Sequence, residues 1–192
     1  IVVATAPSPI TGAANVCPGQ TITLSCASSG GVWSSTAPTY AFGPSADGAV
    51  TGITAGVTTI TYALSPTCYV ITHVTTNPAP SSITGANTIC PGVTTTFTDP
   101  SGGGVWGTSN AATASVSPLT GAVTGVAPGT ALISYTLSGT GCFVTRPMTV
   151  NTAPSANTGA MYACVGSSTL LSNSTPSGVS WTCLLYTSPS PR

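Results

Sequence analysis

The chain has 192 residues, a formal net charge of zero and a charged fraction of only 2%, against roughly a quarter in an average soluble protein. It contains no Lys and no Glu; its charges are Asp47, Asp99, Arg146 and Arg192, with one histidine, His73. Capture of nucleic acid or anionic lipid needs clustered Lys and Arg and is therefore not expected. No apolar run approaches the roughly 20 residues of a membrane-spanning helix, so no membrane insertion is expected in this stretch. The 22 Gly and 17 Pro break helices, while the abundant Thr and Val favour strands. Placed Trp, Tyr, Ile and Val residues argue against disorder. Seven cysteines fit an oxidising compartment.

Residues 1–6, Ile-Val-Val-Ala-Thr-Ala before Pro7, read like Met148-Thr-Val-Asn-Thr-Ala153 before Pro154. They are taken as the tail of a preceding repeat, and the chain as a piece of a longer array. A first repeat then covers 7–79 and a second 80–153. The key stretch is Gly48-Ala-Val-Thr-Gly-Ile-Thr-Ala-Gly-Val-Thr-Thr-Ile-Thr-Tyr-Ala-Leu64, which recurs 73 residues on as Gly121-Ala-Val-Thr-Gly-Val-Ala-Pro-Gly-Thr-Ala-Leu-Ile-Ser-Tyr-Thr-Leu137. Cys17 and Cys90, Trp33 and Trp106, and Tyr62 and Tyr135 keep the same offset; Cys68 and Cys142 are one residue further apart. A truncated third repeat covers 154–182, with Gly159, Cys164 and Trp181 as its landmarks. Self-similarity at a fixed period marks an array of supersecondary units.

Within a unit, turns and alternation mark short strands. Thr21–Leu24 follows the Cys17-Pro-Gly-Gln20 turn, and Val32-Trp33 follows Gly30-Gly31. A hairpin about Ser117-Pro-Leu-Thr-Gly121 joins Ala114–Val116 to Ala122–Thr124. Thr58, Ile60, Tyr62 and Leu64 share one strand face, as do Ala131, Ile133, Tyr135 and Leu137; Tyr69–Thr76 is the last strand. About seven strands in about 73 residues predict a small antiparallel sandwich. Trp33, Tyr62, Trp106 and Tyr135 are its expected core.

The Gly-x-Val-Thr-Gly-[Ile/Val]-x-x-Gly-x-x-x-Ile-x-Tyr pattern with an upstream Val-Trp resembles the group 2 bacterial immunoglobulin-like domain. The family's Trp-Ser-Ser stands intact at Trp33-Ser34-Ser35 and reads Trp106-Gly107-Thr108 in the second repeat. The resemblance covers 7–153 and part of 154–182. It implies an all-β chain of tandem immunoglobulin-like antiparallel β-sandwiches, extracellular or at a bacterial cell surface, in adhesin-type proteins. It implies a non-catalytic spacer, with direct adhesion or carbohydrate binding as the alternative. Expected partners are neighbouring repeats of the same chain and a surface glycan or protein ligand. The last residues, 183–192, break the repeat pattern and resemble the translation of a transposase-type sequencing adapter in a metagenomic read, which removes Cys183 and Arg192 from the argument.

The remaining disulfide candidates are Cys17, Cys68, Cys90 and Cys142. Pairing within a repeat would join Cys17 to Cys68 and Cys90 to Cys142. An immunoglobulin-like order instead separates these cysteines by roughly 20–25 Å of strand, beyond the Cα distance of about 7 Å that a disulfide tolerates. It brings Cys17 towards Cys142 of the next repeat and leaves Cys90 for a residue of the third. Both readings stay open on the sequence. Cys26, matched by Asp99 in the second repeat, is read as a buried thiol or an odd partner for Cys68.

No cofactor and no metal site is expected: there is no Cys-x-x-Cys spacing and one lone His. His73 reads as a solvated strand residue, replaced by Pro147 in the second repeat. Asp47 and Asp99 read as turn formers, and Arg146 as an exposed side chain covering a strand edge. Ser residues without an acid or base partner form no nucleophile constellation, and Gly102-Gly103-Gly104 lacks the Lys and the helix of a phosphate loop. Tyr40 and Phe42, without aromatic counterparts in the second repeat, would pack at a core or edge, or form a small sugar-stacking platform.

Overall fold

In the computed structural model, residues 6–42, 47–159, 164 and 166–174 are described, the Phe42 side chain excepted. The tail at 1–5, Trp181, Cys183 and the peptide 183–192 lie outside them. Fourteen strands and no helix occupy the described residues. The first seven are β1 (Asn15–Val16), β2 (Thr21–Thr23), β3 (Val32–Ser35), β4 (Ala41–Phe42), β5 (Ala49–Gly52), β6 (Gly56–Ser65) and β7 (Cys68–Thr76). The next are β8 (Thr88–Ile89), β9 (Thr94–Thr96), β10 (Gly104–Thr108), β11 (Ala114–Val116), β12 (Ala122–Gly125), β13 (Gly129–Leu137) and β14 (Phe143–Val150).

The first seven make two sheets, β1-β7-β6-β3 and β2-β5-β4. The second seven repeat that order as β8-β14-β13-β10 and β9-β12-β11. All pairs are antiparallel except β1 with β7 and β8 with β14. The fold class is thus all-β, with two-sheet sandwiches of immunoglobulin type.

Alternation produces the cores. β13 buries Ala131, Ile133 and Tyr135 and turns Leu132 outward, as a period of two requires. One core joins Val16, Leu24, Trp33, Ala41, Val50, Ile60, Tyr62 and Val74. The other joins Ile83, Ile89, Phe97, Trp106, Ala114, Val123, Ala131, Ile133, Tyr135, Met148 and Val150. Each draws on both sheets of its own half and on no residue of the other half. The expected core residues Trp33, Tyr62, Trp106 and Tyr135 are all buried.

Two local expectations are corrected. Leu64 leaves the inward row of β6 and is exposed, because the register slips between Ala63 and Ser65; an irregularity of this kind flips the faces beyond it. Its counterpart Leu137 stays half-buried against the second core. Arg146 is half-buried rather than exposed: its Nη1 donates to the Ile83 carbonyl (2.7 Å) and its Nη2 to that of Gly85 (3.1 Å). The guanidinium also lies 5.7 Å from the Phe97 ring centroid.

Candidate functional site

The two halves meet where the chain leaves β7. β1 runs parallel to the end of β7, with Val16 opposite Thr76 and the Asn77 N–H donating to the Val16 carbonyl (2.8 Å). Cys17 therefore sits at the exit of the first sandwich. The Gln20 N–H closes its turn on the Cys17 carbonyl (3.0 Å), and Gly52 passes so close beneath that a Cβ there would lie 2.7 Å from that carbonyl. On the second sandwich, the β13–β14 turn is closed by the Gly141 N–H on the Leu137 carbonyl (2.8 Å) and the Leu137 N–H on the Cys142 carbonyl (2.9 Å). Cys142 is fully buried in this turn.

Cys17 and Cys142 are joined by a disulfide, with Cα atoms 5.5 Å apart and a sequence separation of 125. No strand pairing crosses from one half to the other among the described residues, so this bond is the covalent tie between them beyond the chain itself. A crevice of about 280 Å³ opens beside it, lined among others by Asn15, Gln20, Asn77 and Thr140.

The within-repeat pairs Cys17–Cys68 and Cys90–Cys142 are not what forms. Cys68 opens β7 and Thr76 closes it. Since Val16 is level with Thr76 and the strands run parallel, Cys17 lies one residue beyond the end of β7, roughly 30 Å along the strand from Cys68 at the usual rise. Cys90 is an exposed thiol. Cys26 is half-buried and its thiol donates to the Ser8 carbonyl (3.1 Å).

The remaining candidates are dispersed. His73 is exposed on β7 with its Nδ1 3.2 Å from Thr59 Oγ1. Asp99 accepts the Ser101 N–H (2.8 Å), an Asx-type turn. Asp47 lines a hollow of about 370 Å³ with Cys26, Trp33 and Tyr62. No group of three His, Cys, Asp or Glu residues able to hold a metal occurs among the described residues. Tyr40 packs its ring over Gly56, close enough to forbid a Cβ there.

The exposed aromatics Tyr69 and Phe143 each follow the hairpin cysteine of their half. Tyr69 stands opposite Ala63, which is opposite Val32; Phe143 stands opposite Thr136, which is opposite Val105. A short row thus crosses the outer face of both sandwiches at the same place, an aromatic and a valine at its ends with Ala63 between them in the first and Thr136 in the second.

One role escaped sequence reasoning. Ser35 Oγ donates to the Ala41 carbonyl (3.1 Å) and Thr108 Oγ1 to that of Ala114 (3.0 Å). Each hydroxyl ties one sheet to the other at the same point. The usable signal was a hydroxyl at the 73-residue offset, which survives the change from Trp-Ser-Ser to Trp-Gly-Thr.

Residues 70–146 match the bacterial Ig-like domain (group 2) family. No curated protein matches the chain. Among solved structures, it is similar to domains 1–6 of the surface layer protein SbsC at 17% identity and TM-score 0.34, over 83% of this chain and 30% of that one. It is similar to the C-terminal 282-residue fragment of intimin, solved with the intimin-binding domain of its translocated receptor, at 17% identity and TM-score 0.44, over 78% of this chain and 67% of that one. It is also similar to invasin, a bacterial integrin-binding protein, at 15% identity and TM-score 0.47, over 74% of this chain and 38% of that one. The chain thus spans well under half the length of the surface-layer and invasin structures.

Proposed function

We propose, from the premise that residues 70–146 match a group 2 bacterial immunoglobulin-like domain, that this chain is a non-catalytic spacer. It would hold tandem modules of an extracellular or cell-surface protein in a fixed relation to one another. The modules run over 7–79 and 80–153, with a further one starting at 154. The observation that carries the reading is the Cys17–Cys142 bond. Each half already has its own core, so a bond between the halves adds nothing to either core and acts on their mutual orientation. The linker Asn77-Pro-Ala-Pro80 restricts bending further, because proline fixes φ near −65°. With 2% charge, the array's geometry would respond little to salt or pH. A lasting disulfide of this kind requires an oxidising compartment.

Small-angle scattering of the oxidised and the reduced chain tests this. The expected result is a defined inter-module distance when oxidised and a broadened, larger envelope when reduced. An identical distance distribution in both states counts against the spacer reading.

The row at Tyr69 and Phe143 favours a second reading, adhesion to a protein or glycan through the outer sheet face. Binding of residues 7–153 to a glycan array or a protein ligand, lost in the Tyr69→Ser/Phe143→Ser double variant, would support it.

A further inference from the structure

We propose that Cys90 is a covalent docking site for the hairpin cysteine of the module that follows it, so that the Cys17–Cys142 bond is one rung of a repeating linkage. Cys90 occupies the same local structure as Cys17, feature by feature. The Val93 N–H closes the turn on the Cys90 carbonyl at 3.1 Å, as Gln20 does on Cys17 at 3.0 Å. The Gly92 N–H reaches the Gly125 carbonyl at 2.8 Å, as Gly19 reaches Gly52 at 2.9 Å. A Cβ on Gly125 would lie 2.7 Å from the Cys90 carbonyl, as one on Gly52 would from that of Cys17. Finally, the Asn151 N–H donates to the Ile89 carbonyl at 2.8 Å, the distance found from Asn77 to Val16. Cys90 thus stands to the chain leaving β14 as Cys17 stands to the chain leaving β7.

The segment beyond Asn151 also repeats. Gly85 lies eight positions after Asn77, and Gly159 eight positions after Asn151. Thr84 and Thr98 exchange backbone hydrogen bonds at 3.0 and 3.0 Å, and Thr158 and Ser172 do so at 2.8 and 2.9 Å. The Cys164 carbonyl accepts the Ser167 N–H at 2.9 Å, a third copy of the cysteine turn. A linker of equal length into the same opening fold delivers the next hairpin to Cys90 as the first linker delivers Cys142 to Cys17. Cys17 is bonded within this molecule, whereas Cys90 presents an exposed thiol.

The step joins two thiols. Both S–H bonds break, one S–S bond forms, and two protons and two electrons pass to a disulfide oxidant, which leaves as two thiols. The linkage rests on the modular reading above.

The test replaces residues 154–192 by a second copy of 80–153, a stretch that contains a whole core of its own. The copy carries Cys90→Ser, leaving one cysteine in it, and Thr145→Ser, which marks its hairpin peptide by mass. After exposure to oxidised glutathione, non-reducing pepsin digestion should recover the Cys90 peptide joined to the marked hairpin peptide, two hydrogens lighter than their sum. Free thiols should be fewer by two per chain than in the same protein with Cys17–Cys142 alone. Cys90→Ser in the first copy should return one reactive thiol, on the marked hairpin, and leave Cys17–Cys142 formed. Equal maleimide labelling of the marked hairpin with and without Cys90, or its recovery on Cys26 or Cys68, overturns the proposal. Loss of Cys17–Cys142 itself in the extended chain would instead count against the modular reading, so the two failures are distinguishable.

Discussion

Each sandwich is centred on a tryptophan–tyrosine pair. The Trp33 and Tyr62 rings lie 4.8 Å apart at 58°, and those of Trp106 and Tyr135 lie 4.8 Å apart at 49°, the tilted arrangement that aromatic quadrupoles favour. The phenol also serves as a backbone cap. Tyr62 Oη accepts the Gly31 N–H (2.9 Å) and donates to the Ser28 carbonyl (2.6 Å), while Tyr135 Oη accepts the Gly104 N–H (2.9 Å). Tyr62→Phe would leave two backbone groups without these bonds, and an unmet buried group costs about 1–3 kcal/mol. The expected outcome is a loss of stability in that range in urea melts, confined to the first sandwich. Gly104 explains why the aromatic is preceded by a bare backbone: a Cβ there would come 2.6 Å from the Tyr135 ring and 2.7 Å from the Thr136 carbonyl. Gly104→Ala should therefore destabilise the second sandwich by about 1–3 kcal/mol, as overpacking does, which a thermal melt of the variant checks.

Among the elements, the β11–β12 hairpin and the opening segment of the second sandwich depend on single residues. Gly121 sits at φ +69, and a Cβ there would press on the Phe97 carbonyl and come 2.9 Å from the Trp106 ring. Positive φ and close approach both require glycine, which accounts for Gly48 and Gly121 beginning the repeated stretch. The segment around Ile83–Gly85 has no long strand partner; the Arg146 side chain on β14 holds it through two carbonyls. Hydrogen bonds from a charged donor contribute about 1.5–3 kcal/mol. Arg146→Met keeps much of the stem and removes the fork, so a loss in that range is expected, with faster amide exchange at Thr84 and Thr98, which hydrogen-exchange mass spectrometry reads. A positive side chain in a nearly uncharged protein reads from its type alone as surface. Only the fold brings it to the carbonyls of a segment some sixty residues earlier.

For the molecule as a whole, the disulfide decides what kind of object the chain is. By the loop-closure rule, a bond spanning 125 residues stabilises by about 5 kcal/mol when the whole loop unfolds together. Here the bonded residues belong to sandwiches with separate cores, so reduction should release orientation before it releases fold. Cys142→Ser is expected to leave the near-ultraviolet dichroism of Trp33 and Trp106 in place while increasing the radius of gyration; parallel loss of both signals would mean that the halves fold as one unit. Repeat offset, strand alternation, turn glycines and the aromatic core were all legible in the sequence, because each depends on residues near one another or on a period. The hidden features depended on distance through space: the slip that exposes Leu64, the carbonyls under Arg146, the hydroxyl ties of Ser35 and Thr108, and the pairing of the cysteines. Counting cysteines per repeat left two connectivities open. The choice between them came from the length of β7, which puts Cys17 and Cys68 at opposite ends of one sandwich, and from the 5.5 Å that separates the Cα atoms of Cys17 and Cys142. By itself, therefore, the sequence determined an all-β chain with two like stretches, 73 residues apart, that share an aromatic core. Only the tertiary structure decided that the two halves are joined side chain to side chain, because a disulfide answers to a separation of a few ångströms that no spacing along the chain specifies.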